Sequence, residues 1–285
     1  MNRAEEFLNK MPDELRSKAE KLIVLLQSTQ GIIIAMSAGV DSTFLAAAAY
    51  AALGSKAIAV TGISPSIPQR EVKAAQHLAS VIGIRHLEVK TCENDHQKYR
   101  ANGSDRCFHC KTDLFQQLWK QAKEIGIPAV ADGSNSDDRN DYRPGLLAAA
   151  EQQVISPLVE AGFTKADIRA AAQAAGLPNH AKPSSPCLSS RFPYGTEITE
   201  ARLKSVEIAE DALFELGFSD CRVRTYGEIA VIELPLAELP VIHVAGFREN
   251  MFTAMKDAGF KHVVVDALGL RSGNLNAVLN YKKPV

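Results

Sequence analysis

Short apolar runs rich in Ile, Val and Ala recur at 32–36, 57–61, 85–89, 129–132 and 154–156, and between them the apolar positions fall into helical spacing. An amphipathic helix at 12–27 leads, and further helices are expected at 43–53 and 68–82. Ile/Val-rich strands that alternate with helices belong in a parallel sheet covered on both faces. The pattern therefore predicts a doubly wound α/β domain. The periodicity breaks in Asn179-His180-Ala181-Lys182-Pro183-Ser184-Ser185-Pro186-Cys187, whose Pro and Ser residues mark a long loop or linker. Beyond it come a helix at 199–216, paired strands at 222–226 and 229–234, a helical stretch at 236–258 and a strand at 262–266. A first domain over 1–195 and a smaller α+β domain over 196–285 are expected, with the boundary near Gly195.

In such a sheet ligands gather at the carboxyl ends of the strands. Two polar turns fall there, Ser37-Ala38-Gly39-Val40-Asp41-Ser42 and Asp132-Gly133-Ser134-Asn135. The small residues of the first let backbone amides approach an anion, and the helix that follows aims its positive end at the same place. Ser37 and Ser42 add hydroxyl donors. No Gly-Lys-Ser/Thr occurs in the chain, which argues against γ-phosphoryl transfer on a Walker-type loop. Ser37, Gly39, Asp41 and Ser42, with Asp132 and Asn135 on the second turn, are the candidate nucleotide contacts. The run Asp137-Asp138-Arg139-Asn140-Asp141 offers carboxylates that could hold Mg²⁺ through water beside ATP phosphates, and Asp141 is a candidate helix N-cap.

With 46% hydrophobic and 23% charged residues over 285 positions, the chain can build a real core. Its net charge of −1 gives no overall attraction to a polyanion or an anionic membrane, so large nucleic-acid substrates are disfavoured. The N-terminal residues carry no apolar signal core, and no run approaches a membrane span, so a cytoplasmic enzyme is expected. Five cysteines, an odd number, fit a disulfide framework poorly and direct attention to metal or sulfur chemistry.

Cys107-Phe108-His109-Cys110 is a C-x-x-C that admits zinc, redox or iron–sulfur readings. His109, His180 and Cys187 are the candidates to complete a zinc site, but no second paired motif supplies them. Cys187 with Cys107 and Cys110 would give three thiolates, leaving one iron of a four-iron cluster open to a ligand such as hydrosulfide. Cys92 and Cys221 read mainly as structural. Arg222-Val223-Arg224 puts two guanidiniums on one face of a strand, an arrangement suited to a phosphate, and Arg191 could complete the clamp. Glu210 and Glu233, on flanking elements, could each accept a proton or pair with an arginine.

Taken together, the loop at 37–42, Asp141-Tyr142-Arg143-Pro144-Gly145, Ser189-Ser190-Arg191-Phe192-Pro193-Tyr194-Gly195-Thr196 and Arg222-Val223-Arg224 resemble the LarE family of ATP-dependent sulfur transferases, within the PP-loop ATP pyrophosphatases. The likeness runs from about Ile32 to the C-terminus, and Ala38 departs from the family's usual second Gly. The resemblance implies adenylylation of a carboxylate of pyridinium-3,5-biscarboxylic acid mononucleotide and replacement of its oxygen by sulfur, on the route to the nickel-pincer cofactor of lactate racemase. It implies ATP and Mg²⁺ as cofactors, sulfide or another sulfur donor, and a homo-oligomer. It places the sulfur at Cys187, a 4Fe-4S cluster on Cys107, Cys110 and Cys187, the substrate phosphate on Arg191, Arg222 and Arg224, and catalytic acidic positions at Glu210 and Glu233. A tRNA-thiolating PP-loop enzyme is the rival, but the chain lacks a Cys-rich zinc module, a basic excess and aromatic–basic interleaving.

Overall fold

The structure is a computed structural model that describes residues 2–140 and 144–271. The expected N-cap at Asp141, with Tyr142 and Arg143 beside it, lies outside the described residues. The chain divides into two compact units, one made of the residues up to Glu93 and Asp105–Ser185, the other of Asn94–Ser104 and the chain from Pro186 onward. Gly195, where the sequence marks a boundary, lies inside the second unit.

The first unit begins with α1 (Arg3–Asn9) and α2 (Asp13–Ser28), then runs β1 (Ile32–Ala35), α3 (Val40–Leu53), β2 (Ala57–Ile63), α4 (Gln69–Ile82) and β3 (Arg85–Lys90). After the single turn α5 (Gln97–Arg100), which belongs to the second unit, it resumes with α6 (Arg106–Ile125), β4 (Ala129–Ala131), α7 (Pro144–Glu151), the one-turn α8 (Pro157–Glu160) and α9 (Lys165–Ala174). The strands form one parallel sheet in the order β3-β2-β1-β4. Alternate residues of β1 enter opposite cores: Ile32 and Ile34 pack with Leu22, Leu26 and Phe44, and Ile33 packs with Phe115, Leu118 and Val130. Both faces are therefore covered, which is why Ile-Ile-Ile-Ala carries no polar position. The sheet is doubly wound, as the pattern predicts.

The extended run at 154–156 does not become a strand. Ile155 forms a single parallel bridge to Ala131, and Pro157 then opens α8. A proline pre-set for the first helical turn ends the extended chain after one bridge. The helical stretch expected at 236–258 is likewise interrupted: a 3₁₀ turn, Leu239–His243, precedes α11 (Ala245–Asp257), with Val244 extended between them.

In the second unit α10 (Glu200–Glu215) packs on β5 (Arg222–Tyr226), which pairs antiparallel with β6 (Ile229–Glu233); β7 (His262–Val265) adds parallel to β6. The excursion Asn94–Ser104 is fixed in this unit by specific bonds. Tyr99 Oη lies 2.5 Å from Ser189 Oγ, Asn102 Nδ2 donates to Pro193 O (2.8 Å), and Ile198 N donates to Arg100 O (2.9 Å). These bonds make the excursion a structural part of the second unit. Among the described residues no helix is long and apolar enough to cross a membrane.

Candidate active site

The strand order reverses at β1: β2 and β3 lie to one side and β4 to the other. The loops leaving β1 and β4 face each other across this switch point, where doubly wound sheets bind ligands. From Ala35 the chain turns through Ser37, Ala38 and Gly39 into α3. Gly39 is the N-cap and provides no side-chain cap, so the first amides of α3 are left for an anion. Ala38 is fully buried at φ 57°, a left-handed conformation that costs a residue with a Cβ about 1–2 kcal/mol. The loop is braced from within. Ser42 Oγ accepts from Ser37 N (3.2 Å) and donates to Gly39 O (3.2 Å), while Thr43 Oγ1 donates to the same carbonyl (2.8 Å). Ser37 remains exposed.

The β4 turn locks onto this loop. Asn135 Nδ2 donates to Asp41 Oδ2 at 2.9 Å, and Asp132 accepts from Ser134 Oγ (2.7 Å) and Ser156 Oγ (2.8 Å). Burial raises the Asp41 pKa, and Asp138 adds to that rise, while the Asn135 hydrogen bond, Lys165 and Arg169 oppose it. Gly133 permits the contact, because a Cβ there would stand 2.8 Å from Ser42 N and 3.0 Å from Ser42 Cα. Backbone atoms cannot swing aside as a side chain can. Gly133→Ala is therefore expected to weaken ATP binding about tenfold or more while leaving the circular dichroism spectrum unchanged. Calorimetric titration with ATP checks this, and an unchanged affinity would show that the contact yields.

A support the sequence does not reveal lies under Met36. Thr61 Oγ1 donates to Met36 O (2.9 Å) and sits 2.8 Å from His86 Nε2, whose pKa burial lowers. Since the Thr61 proton is committed to the carbonyl, His86 donates to Thr61.

Cys107 and Cys110 occupy the first turns of α6, one exposed and the other half-buried. Three residues apart, they share one helix face at the N-terminal end of α6. His109 Nε2 pairs with Asp105 (3.1 Å), and His180 Nδ1 lies 3.0 Å from Leu177 O. Cys187 is half-buried in the second unit and opens a 3₁₀ turn, Leu188–Arg191. None of the five cysteines is in a disulfide. Among the described residues no three His, Cys, Asp or Glu side chains are gathered to hold a metal. Cys221 is buried, its thiol donating to Glu210 O (3.7 Å).

In the second unit the three arginines and two glutamates form one buried cluster. Arg191 grips Glu210 with Nε (2.7 Å) and Nη2 (3.0 Å), and its Nη1 donates to Pro186 O (2.8 Å), Ser190 Oγ (2.8 Å) and Cys187 O (3.3 Å). Arg224 donates from Nε to Glu233 (2.6 Å) and from Nη1 to Ser190 O (2.9 Å). Arg222 stands opposite Glu233 in the β5–β6 register, and its Nη1 donates to Arg271 O (3.2 Å). Burial lowers the Arg222 pKa, and Arg191 and Arg224 lower it further. Asp220 and Glu233 oppose that lowering, so the cluster sets three guanidiniums beside carboxylates, and the guanidinium forks are donors suited to an anion.

A doubly wound parallel sheet whose switch point carries a lysine-free loop of small residues, ahead of an uncapped helix, defines a PP-loop nucleotide-binding protein. The pyridinium-3,5-bisthiocarboxylic acid mononucleotide synthase of Lactiplantibacillus plantarum is 37% identical over 93% of this chain and 96% of its own length. The chain belongs to the LarE family of ATP-dependent sulfur transferases, and it is an enzyme. An uncharacterised protein of Synechocystis sp. is 42% identical over 93% of this chain and 99% of its own length, and one from Methanocaldococcus jannaschii is 30% identical over 82% and 88%. No protein-family model matches the chain.

Proposed function

We propose that the enzyme adenylylates and thiolates pyridinium-3,5-biscarboxylic acid mononucleotide in the cytoplasm, as a step towards a nickel-pincer cofactor. The observation that carries this reading is the 37% identity, spread over nearly the whole of both chains, with the synthase that bears the bisthiocarboxylate product in its name. The loop at 37–42 and the uncapped start of α3 would hold the β- and γ-phosphates of ATP while a substrate carboxylate oxygen attacks the α-phosphorus and pyrophosphate leaves. Asp41, Asp132 and Asn135 border that space, and Mg²⁺ held there would neutralise pyrophosphate charge. AMP is a far better leaving group than a carboxylate oxygen, so sulfur can replace it at the acyl carbon.

Arg191, Arg222 and Arg224 are assigned to the phosphate of the mononucleotide. Arg191 also fixes the turn that begins at Cys187, so phosphate recognition and sulfur supply share one scaffold. Glu210 and Glu233 keep these guanidiniums oriented. Cys107, Cys110 and Cys187 are three thiols outside any disulfide, two of them at the N-terminal end of α6, and this donor chemistry suits a 4Fe-4S cluster. When bound, the cluster would supply an open iron that carries the sulfur.

Two measurements test the reading. Pyrophosphate should be released from ATP on addition of the mononucleotide, and iron with acid-labile sulfide should be determined after anaerobic reconstitution. About four irons per chain, lost in Cys107→Ala/Cys110→Ala, are expected for a cluster held by three thiolates. Negligible iron in both proteins would move the sulfur source to Cys187 itself.

A further inference from the structure

The phosphate loop contains no lysine, yet the pyrophosphate it is proposed to release is a polyanion. The donors within the loop are neutral. The first unit brings three basic side chains towards it. Lys165 Nζ stands 3.7 Å from Asp138, and both terminal nitrogens of Arg169 are spent on backbone carbonyls, Nη1 on His180 O (3.1 Å) and Nη2 on Lys182 O (2.9 Å). The third, Lys182, touches the loop itself. Its Nζ is 3.4 Å from Ala38 O and 2.6 Å from Glu71 Oε2.

The segment that carries Lys182 is fastened to the loop at several points. Asn179 Nδ2 donates to Ala38 O (3.1 Å) and to Thr43 Oγ1 (3.0 Å), Arg169 holds the carbonyls on either side of Ala181, and Ser185 Oγ donates to Glu71 Oε1 (3.2 Å). Lys182 is not needed to satisfy Ala38 O, since Asn179 already does so at shorter range and 3.4 Å is a poor hydrogen bond. An ammonium on a flexible four-carbon stem, with three donors, is well suited to move from one anion to another. The Lys182–Glu71 pair is largely shielded, with side-chain exposures of 24% and 14%, so its charge is poorly screened by water.

We propose that Lys182 is the lysine of this phosphate loop, supplied by the segment after α9 instead of by the loop's own sequence. Its ammonium binds the β- and γ-phosphates of ATP and stays with them as the bond from the α-phosphorus to the bridging oxygen breaks. Glu71 holds the ammonium when no nucleotide is bound. No proton is transferred; the lysine offsets the charge that the bridging oxygen gains. The assignment rests on the ATP-pyrophosphatase reading above and gives that reading its missing cation.

Titration of the full chain with ATP, inorganic pyrophosphate and AMP tests it, using wild type, Lys182→Gln and Lys182→Arg, with thermal midpoints recorded for each. Lys182→Gln should weaken pyrophosphate and ATP about 10- to 100-fold and leave AMP within about twofold, because AMP lacks the phosphates concerned. Lys182→Arg should recover most of the loss. Equal weakening of AMP and pyrophosphate, or no weakening of either, would overturn the role of Lys182 while wild-type binding stood. Wild-type protein that binds neither ATP nor pyrophosphate would overturn the pyrophosphatase reading itself, and Lys182 with it.

Discussion

Cys187→Ser is expected to reduce thiocarboxylate formation below detection while pyrophosphate release from ATP continues. The backbone around Cys187 is held by its carbonyl, which accepts from Ser190 Oγ (2.8 Å) and from Arg191 Nη1 (3.3 Å). A serine keeps that carbonyl and nearly the same side-chain volume, so the turn at 188–191 and the arginines anchored to it should persist. The phosphate loop belongs to the other compact unit and is braced by its own bonds among Ser37, Gly39, Ser42 and Thr43. What the substitution removes is sulfur, as thiolate ligand or as donor. Mass spectrometry of the substrate beside a pyrophosphate assay separates the two half-reactions. Loss of both activities together would show that Cys187 acts through the structure and not through its sulfur.

The sheet was legible because its order is written in local pattern: Ile-Ile-Ile-Ala before a loop of small residues can scarcely be anything but a buried parallel strand leading to a ligand. The placement of Arg222 and Arg224 on one strand face follows equally from period two. Partner choice is another matter. Nothing local says that Arg191 takes Glu210, nineteen residues on, or that Arg224 takes Glu233, because such pairs are set by where α10 and β5 pack. The excursion Asn94–Ser104 was hidden for the same reason. Its bonds to Ser189 and Pro193 span about ninety residues and leave no period.

Two features had a local signal that sequence reasoning passed over. Thr164 and Asp167 form a capping box that announces α9, and with it the helix that positions Arg169 and the segment beyond. Gly133, between two polar residues at a strand end, marked a close backbone approach. The Ala38 departure, by contrast, pointed to a real strain: the position is left-handed, and the chain carries a methyl where glycine would be free of cost.

Glu210→Ala is expected to cost about 3–5 kcal/mol of stability, the largest loss of any single change considered. Glu210 is fully buried, and its carboxylate takes two donors from Arg191 and the amide of Val223 (3.0 Å). Removing it takes the bidentate carboxylate from a guanidinium with 3% side-chain exposure and the acceptor from the Val223 amide near the start of β5. Urea unfolding measures the global cost, and amide exchange at Val223 reads the local one, which should accelerate. Glu210→Gln distinguishes the two roles the sequence left open. If Glu210 serves as the partner of Arg191, the amide keeps part of the hydrogen bonding, costs less than alanine, and weakens mononucleotide binding through a misplaced Arg191. If Glu210 serves as a proton acceptor, Glu210→Gln binds substrate normally and loses turnover, with the acidic limb of the pH–rate profile removed. The bidentate geometry favours the first outcome, since both carboxylate oxygens are already engaged in holding Arg191.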